Sequence, residues 1–112
     1  MANTLNNGFV GAGRFVASTA DMHAICYNGA GQPNLVINCS CEHIPDLDAW
    51  MALIPAGMLL VLQSNDYVAE SEHINCVRSL EEFEAQAKLS DVLFRGAYDT
   101  GKYTRFMLIG RR

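Results

Sequence analysis

The sequence predicts an α/β fold with a mostly parallel sheet and a C-terminal antiparallel hairpin, and three observations support this fold class. Two runs of branched aliphatic residues, 34–40 and 58–64, are bounded by turn residues and are typical of buried strands. A segment with helical spacing of apolar residues follows each run. Two further strand-like segments near the C terminus are joined by the short link 99–102, which is typical of a hairpin.

The first part of the chain contains two predicted strands. Residues 14–19, RFVAST, form a short apolar and β-branched run that predicts the first strand. A loop with a turn cluster of Gly29, Gly31 and Pro33 follows it. Residues 34–40, NLVINCS, predict the second strand, and their continuous apolar start predicts burial on both faces, as in a parallel sheet.

Two helices are predicted, each with its own start signal. In residues 45–55, Asp46 is a candidate N-cap ahead of apolar residues at helical spacing. In residues 79–89, Ser79 and Glu82 have the spacing of a capping box. The apolar positions of the two helices are Leu47, Trp50, Met51, Ile54, Leu80, Phe83 and Ala87.

The remaining strands complete the predicted sheet. Residues 58–64, MLLVLQS, predict a third strand that is again continuously apolar, and residues 91–98 and 103–110 predict the hairpin. Right-handed crossovers would place the two helices on the faces of the sheet. The core positions that follow from apolar periodicity are Trp50, Phe83, Phe106 and Met107.

Composition limits the class of protein. A chain of 112 residues, 50% hydrophobic and 18% charged, is typical of one globular domain, which we assign to residues 1–112. The net charge of -4 argues against broad binding to nucleic-acid phosphates, and the longest apolar run, 58–62, is too short to span a bilayer. The first residues, MANTLNNG, lack the features of a secretion signal. We therefore expect a cytoplasmic protein whose four cysteines stay reduced.

Polar residues follow three of the predicted strands at their carboxyl ends, where open α/β sheets bind their ligands. Glu42 and His43 are candidate catalytic residues, because they come directly after an apolar strand. Glu42 could accept a substrate proton, and His43 could do so near neutral pH. The residues assigned to substrate binding are Gln63, Asn65, Asp66 and His73.

Several stretches of the sequence carry a family resemblance. They are NLVINCSCEHI (34–44), Trp50, IPAGMLLVLQSNDY (54–67), EHINC (72–76) and YTRFMLIG (103–110). Together they resemble the C-terminal half of class I S-adenosylmethionine-dependent methyltransferases, over residues 14–110. The resemblance implies a Rossmann-like sheet whose last two strands form an antiparallel hairpin. It also implies methyl transfer to an unspecified acceptor, with S-adenosyl-L-methionine as cofactor. The expected partner is a small-molecule substrate or a second polypeptide.

The resemblance implies roles for the candidate residues. Asp21 and Met22 would contact the adenine of the cofactor, since an aspartate can accept from the exocyclic amine and a methionine packs against a ring. A turn aspartate is an equally good interpretation of Asp21. The positions near the transferred methyl group would be Asn38 and Ser40, on the cofactor side, and Glu42 and His43.

One part of the family pattern is missing. The segment GFVGAG (8–13) neither follows a predicted strand nor opens a predicted helix, so it is a turn rather than a cofactor-binding glycine loop. We therefore expect either an enzyme completed by a second polypeptide or a non-catalytic binding protein that keeps the scaffold. The absent strands would lie beside residues 34–40, and an open edge there would also favour a homo-oligomer.

Thiols and imidazoles leave two further alternatives open. Cys39, Cys41 and His43 alternate along the chain and would share one face of a strand, and His73 and Cys76 could complete a zinc site. The spacing C-x-C-x-H is a weak zinc pattern, so we assign no metal ligand and keep a small zinc-binding module as a second alternative. Cys41 could instead be a nucleophile if one of the two histidines met it as a base.

Overall fold

A four-stranded sheet forms the centre of the computed structural model, which describes residues 1–112. Its strands are β1 (Leu35–Asn38), β2 (Leu59–Asn65), β3 (Asp91–Asp99) and β4 (Thr104–Arg111). They lie in the order β1-β2-β4-β3, with β1 parallel to β2 and β4 antiparallel to both of its neighbours. The α/β class and the C-terminal hairpin are confirmed, but the sheet is mostly antiparallel and the prediction of a mostly parallel sheet is wrong.

The sheet is mixed because β4 takes an inner position. A tight turn with Gly101 at a φ of 83° joins β3 to β4, and β4 then pairs with β2 along the whole of that strand. β1 and β2 are neighbours joined by the long connection that parallel strands require. A second long connection, through α4, leads from β2 to β3, which runs in the same direction on the far side of β4. Local patterns predict the hairpin, whereas the long-range pairing of its second strand with β2 leaves no local signal.

Four short helices and one 3₁₀ turn accompany the sheet. They are α1 (Ala2–Leu5), α2 (Asn7–Gly11), the 3₁₀ turn (Cys41–His43), α3 (Leu47–Met51) and α4 (Leu80–Ala87). None of these helices has the length and apolar character needed to cross a membrane. Contacts of α4 with α3, β3 and β4 show that the two later helices cover one face of the sheet.

Both predicted helix starts are confirmed by side-chain caps. The Asp46 carboxylate accepts a hydrogen bond from the Ala49 backbone N–H at 3.0 Å. The Ser79 hydroxyl accepts from the Glu82 N–H at 3.1 Å, and the Glu82 carboxylate accepts in return from the Arg78 N–H at 2.7 Å. In the usual capping box the N-cap residue donates its N–H to this carboxylate, whereas here the donor is Arg78, the residue before the N-cap.

The face of the sheet beneath α3 and α4 holds the core. Leu60, Leu62 and Leu108 have no exposed surface, and they pack with Trp50 and Phe83 from the two helices. Phe106 is also buried, so three of the four predicted core positions are confirmed. The fourth, Met107, is half-buried on the opposite face, because neighbouring residues of a strand point to opposite sides.

The opposite face of the sheet, which we call the open face, has no helix packed on it. Leu35 and Ile37 of β1 are 40% and 59% exposed, and Phe94 of β3 is 49% exposed. Along β2, half-buried and buried residues alternate. The prediction that residues 34–40 and 58–64 are buried on both faces is therefore wrong, because the chain covers only one side of the sheet.

Residues 14–19 do not form the predicted first strand. The segment has no regular secondary structure and no strand pairing, and Val16 is 82% exposed. A strand needs a neighbour for its backbone hydrogen bonds, and β1, the nearest candidate, pairs only with β2. As a result, the outer edge of β1 is unpaired.

Candidate functional site

The parallel strands β1 and β2 end at the same edge of the sheet, and each ends in a turn closed by an asparagine. The Asn38 side-chain oxygen accepts from the Ser40 N–H, and the Asn65 side-chain oxygen accepts from the Tyr67 N–H, both at 3.0 Å. Asparagine favours such turns because its side chain can bond the backbone two residues on. The first turn leads into the 3₁₀ turn, which carries Glu42.

Three of the predicted site residues meet at this edge: Glu42, His43 and His73, which we call the Glu–His–His cluster. One ligand atom from each side chain lies within 4.8 Å of the other two. Glu42 Oε1 is 3.7 Å from His43 Nε2, and the two imidazole rings meet edge to face with centroids 4.6 Å apart. His73 arrives from the loop between β2 and α4, so the cluster joins two distant parts of the sequence.

Glu42 is the most deeply buried member of the cluster. The residue is 6% exposed, and its Oε2 atom is buried without a hydrogen-bond partner. Leaving a polar group buried and unpaired costs on the order of 1 to 3 kcal/mol, and more when the group is charged. A carboxylate in this position favours a cation or a proton donor next to it.

His73 has a defined tautomer. Its Nδ1 atom is 2.8 Å from the Tyr67 carbonyl oxygen, which can only accept, so the proton of the neutral ring is on Nδ1. The Nε2 atom therefore carries the lone pair and can act as a base or a ligand. Sequence reasoning missed this role of Tyr67, because the group that acts is a backbone carbonyl and leaves no trace in residue type.

Asn75 connects the loop that carries His73 to the rest of the fold. Its backbone N–H donates to the Glu42 carbonyl at 2.9 Å, and its side-chain amide donates to the Ile44 carbonyl at 2.8 Å. The Asn75 side-chain oxygen accepts from Gln86 of α4 at 2.7 Å. These bonds hold the two segments of the Glu–His–His cluster in a fixed relation.

The other predicted substrate residues lie in different surroundings. Asn65 is buried at the end of β2, and Asp66 accepts from the Thr104 N–H at 2.7 Å, which ties β2 to the start of β4. Both are at the same edge of the sheet as the cluster, but their oxygens bond backbone groups. Gln63 points to the open face beside its strand partner Met107, so the structure does not bring it to the cluster.

The residues assigned to the cofactor are divided between two places. Asn38 is buried at the end of β1 with an unpartnered Nδ2 atom, and the exposed Ser40 follows it. Asp21 is exposed and accepts from a backbone N–H in its own turn. The Met22 carbonyl accepts from Tyr27, which bonds Trp50 of α3. The hydrogen bonds of this segment therefore connect it to α3, and none connects Asp21 or Met22 to the Glu–His–His cluster.

The thiols do not join the cluster. Cys41 is fully buried and Cys39 is exposed, so the prediction that they share one face with His43 is wrong, because the chain coils into the 3₁₀ turn there. Burial, with the nearby Glu42 charge, raises the pKa of Cys41 to about 12. Burial also raises the pKa of Cys76, with Glu42 and Asp66 adding to the effect. Both shifts keep the thiols protonated at neutral pH, which argues against Cys41 as a nucleophile.

Comparisons of the chain with known protein families, with curated proteins and with solved structures give no match.

Proposed function

We propose that this chain supplies the acceptor side of a methyl-transfer site that a second polypeptide completes with S-adenosylmethionine. The observation that carries the proposal is the buried carboxylate of Glu42, which faces two imidazoles at the carboxyl ends of parallel strands. Ligands of open α/β sheets bind at this edge. The motifs that resemble class I methyltransferases include the residues of the cluster and support the Rossmann-like relationship.

The proposed chemistry requires little of the protein beyond alignment and proton removal. The cofactor supplies the methyl group, and this chain holds the acceptor and takes its proton if it has one. The groups that would accept that proton are His73 Nε2, the His43 imidazole and the Glu42 carboxylate. His43, whose side chain is 37% exposed, lies at the mouth of the site and would contact the acceptor first.

A second polypeptide is part of the proposal because these residues alone do not form a cradle for the cofactor. Residues 8–13 are exposed and lie in α2 and the turn after it, not behind a buried strand. The free edge of β1, with Leu35 and Ile37 exposed, lies where the resemblance puts the absent strands. Backbone pairing at that edge would extend the sheet next to Asn38 and Ser40.

The alternative is a non-catalytic binding protein that keeps the scaffold. The bonding of Asn65 and Asp66 favours this alternative, because their side-chain oxygens accept from backbone N–H groups and are partly used in holding the fold together. A binding protein of this kind would use the β1 edge and the open face without turnover.

The experiment has two stages. Calorimetric titration of the isolated chain with S-adenosylmethionine should give no heat at millimolar ligand. The same titration should show binding once the chain is co-expressed with a polypeptide that carries a strand, a glycine loop and an acidic strand end. The place to look for such a polypeptide is a neighbouring reading frame.

Within that complex, Glu42→Gln should abolish transfer to the acceptor while cofactor binding persists, and Glu72→Gln serves as the exposed control from the His73 loop. A complex that binds the cofactor but transfers equally well with Glu42→Gln would remove the catalytic role. A partner that binds without conferring cofactor binding would favour the scaffold alternative.

A further inference from the structure

We infer that Glu42, His43 and His73 form a binding site for one divalent metal ion of the zinc type. The three side chains already converge, with one ligand atom of each within 4.8 Å of the others. The inference depends on the geometry and burial of these three residues and does not require the proposed methyl transfer. It also differs from the thiol-based zinc set considered from the sequence, because no cysteine takes part.

The donor set selects the class of ion. Two imidazole nitrogens and one carboxylate oxygen are the protein ligands of many catalytic zinc sites, which keep further positions open for water or substrate. Imidazole favours zinc and neighbouring transition metals, whereas magnesium and calcium prefer oxygen ligands. The cluster is therefore expected to bind Zn²⁺ in preference to Mg²⁺.

Ion binding requires a small contraction of the cluster. Zinc–ligand bonds of about 2.0 to 2.1 Å in a tetrahedral site put ligand atoms roughly 3.3 Å apart. The ligand atoms of the three side chains, which now lie up to 4.8 Å apart, must therefore approach one another by up to about 1.5 Å. His43 can supply this movement, because its side chain is 37% exposed and its Nε2 atom, 3.7 Å from Glu42 Oε1, is too far away for a hydrogen bond.

The buried carboxylate is an independent reason to expect a cation. Glu42 is more than nine-tenths buried, and its Oε2 atom has no hydrogen-bond donor. A metal ion bound between the two imidazoles and Glu42, whose Oε1 is the oxygen 3.7 Å from His43 Nε2, would neutralise the charge of this buried carboxylate.

The groups behind the ligands are also arranged for metal binding. The Tyr67 carbonyl holds the proton of His73 on Nδ1 and leaves Nε2 as the ligand atom, an arrangement that is usual for metal-bound histidines. Asn75 bonds the backbone of Glu42, so the carboxylate and the His73 loop are fixed before the ion arrives. A bound ion with an open position could hold an acceptor oxygen and lower its pKa.

The test is titration of the tag-free, chelator-treated chain with ZnCl₂ in the absence of S-adenosylmethionine. We expect one equivalent of Zn²⁺ to bind and MgCl₂ to give no heat. His73→Gln and Glu42→Gln should each weaken Zn²⁺ binding by more than about 100-fold, since loss of a direct ligand should exceed the 10- to 100-fold effects of outer-shell changes. His23→Gln and Glu72→Gln are the matched controls from exposed positions and should bind as the parent does.

Two kinds of control are needed, one for the fold of each variant and one for the thiols. Circular dichroism and urea unfolding of each variant separate loss of a ligand from loss of fold. Cys76→Ser should bind Zn²⁺ unchanged, and the Co²⁺-loaded chain should show no thiolate-to-metal absorption. Absence of binding at about 100 μM Zn²⁺, equal binding by His73→Gln, or loss of binding in Cys76→Ser would each overturn the inference. Because no cofactor is present, none of these outcomes bears on the proposed methyl transfer.

Discussion

The two faces of the sheet differ in what covers them. Beneath α3 and α4, Leu60, Leu62 and Leu108 are completely removed from water. On the open face, Ile37 and Phe94 remain 59% and 49% exposed although they are equally apolar. The hydrophobic effect acts only on surface that leaves water, so the covered face supplies most of the stability of this chain.

Apolar side chains on a strand therefore do not by themselves indicate a finished core. A contiguous apolar surface on a folded chain usually marks a site of interaction. The open face and the free β1 edge adjoin each other through Leu35 and Ile37. Their position supports the proposal of a partner polypeptide. Five predictions test the contrast between the covered face and the open face.

The largest expected effect comes from the same substitution made once on each face. Leu60→Ala should lower the free energy of unfolding by about 2 to 5 kcal/mol, because it leaves a cavity in the core. Leu35→Ala should cost less than about 1 kcal/mol, because that side chain is 40% exposed at the sheet edge. Urea unfolding measures both values. Similar losses for the two variants would mean that the open face is packed in solution.

Two thiols close in sequence give the second contrast. At pH 8, iodoacetamide should label Cys41 more than about 100-fold more slowly than Cys39, because Cys41 is buried and protonated whereas Cys39 is exposed. Mass spectrometry of the labelled peptides gives the two rates, and labelling in urea is the control that should make them equal. Fast labelling of native Cys41 would show that the end of β1 opens readily.

The raised pKa of Cys41 also predicts how stability depends on pH. The folded chain holds this proton more tightly than the unfolded chain, whose thiol titrates near its ordinary value of 9.0. The contribution of this proton to the free energy of unfolding is complete below pH 9 and is lost as the pH rises towards 12. Urea midpoints between pH 8 and 11 should therefore fall more steeply for the parent chain than for Cys41→Ala.

A smaller effect is expected at the start of α4, which covers the core. Ser79→Ala should cost about 1 kcal/mol, because the Glu82 N–H loses its capping bond. Ser71→Ala, in the exposed part of the preceding loop, is the control and should change stability by less than about 0.5 kcal/mol. Equal effects in urea unfolding would indicate that packing, not the cap, holds the helix start.

The smallest effect on stability is expected on the open face itself. Ile37→Lys should change the free energy of unfolding by less than about 0.5 kcal/mol, since the side chain is already largely in water. It should, however, reduce self-association, because a lysine on an edge strand opposes pairing between sheets. Sedimentation velocity over a range of concentrations tests this, with Ile37→Val as the apolar control. Greater association of the lysine variant would contradict the role assigned to the edge.

The features predicted correctly from the sequence are those with local causes. Asp46 and Ser79 are caps whose partners lie three residues away, and the hairpin from β3 to β4 depends on a short turn. Sequence spacing contains all the information that such features need. The same holds for β2, whose apolar run ends in the polar residues Gln63, Ser64 and Asn65.

The predictions that failed depend on partners distant in sequence. Residues 14–19 have the composition of a strand, but no neighbouring strand accepts their hydrogen bonds. A continuous apolar run predicted two buried faces for β1, yet burial depends on whether a second layer exists. The apolar periodicity assigns both Phe106 and Met107 to the core, although strand alternation puts these two neighbours on opposite faces of the sheet.

In the candidate site, too, the features with local causes were predictable and those that depend on distant residues were not. Glu42 and His43 are adjacent and follow a strand, so their place at the sheet edge was predictable. His73 joins them because the loop after β2 returns across the end of β1, a path that Asn75 holds through its bonds to Glu42 and Ile44. Gln63 was assigned to the same site, but strand alternation directs it to the open face.

The side chain of Asn75 receives a hydrogen bond from Gln86, and Gln86 belongs to α4 rather than to the site. A small change on that helix is therefore expected to reach Glu42 through a single intermediate residue. Gln86→Leu would remove the bond without touching any ligand atom, and it would loosen the loop that carries His73. Substitution of Gln86 should therefore disturb the position of the His73 loop more than substitution of Ala85, its exposed neighbour on α4.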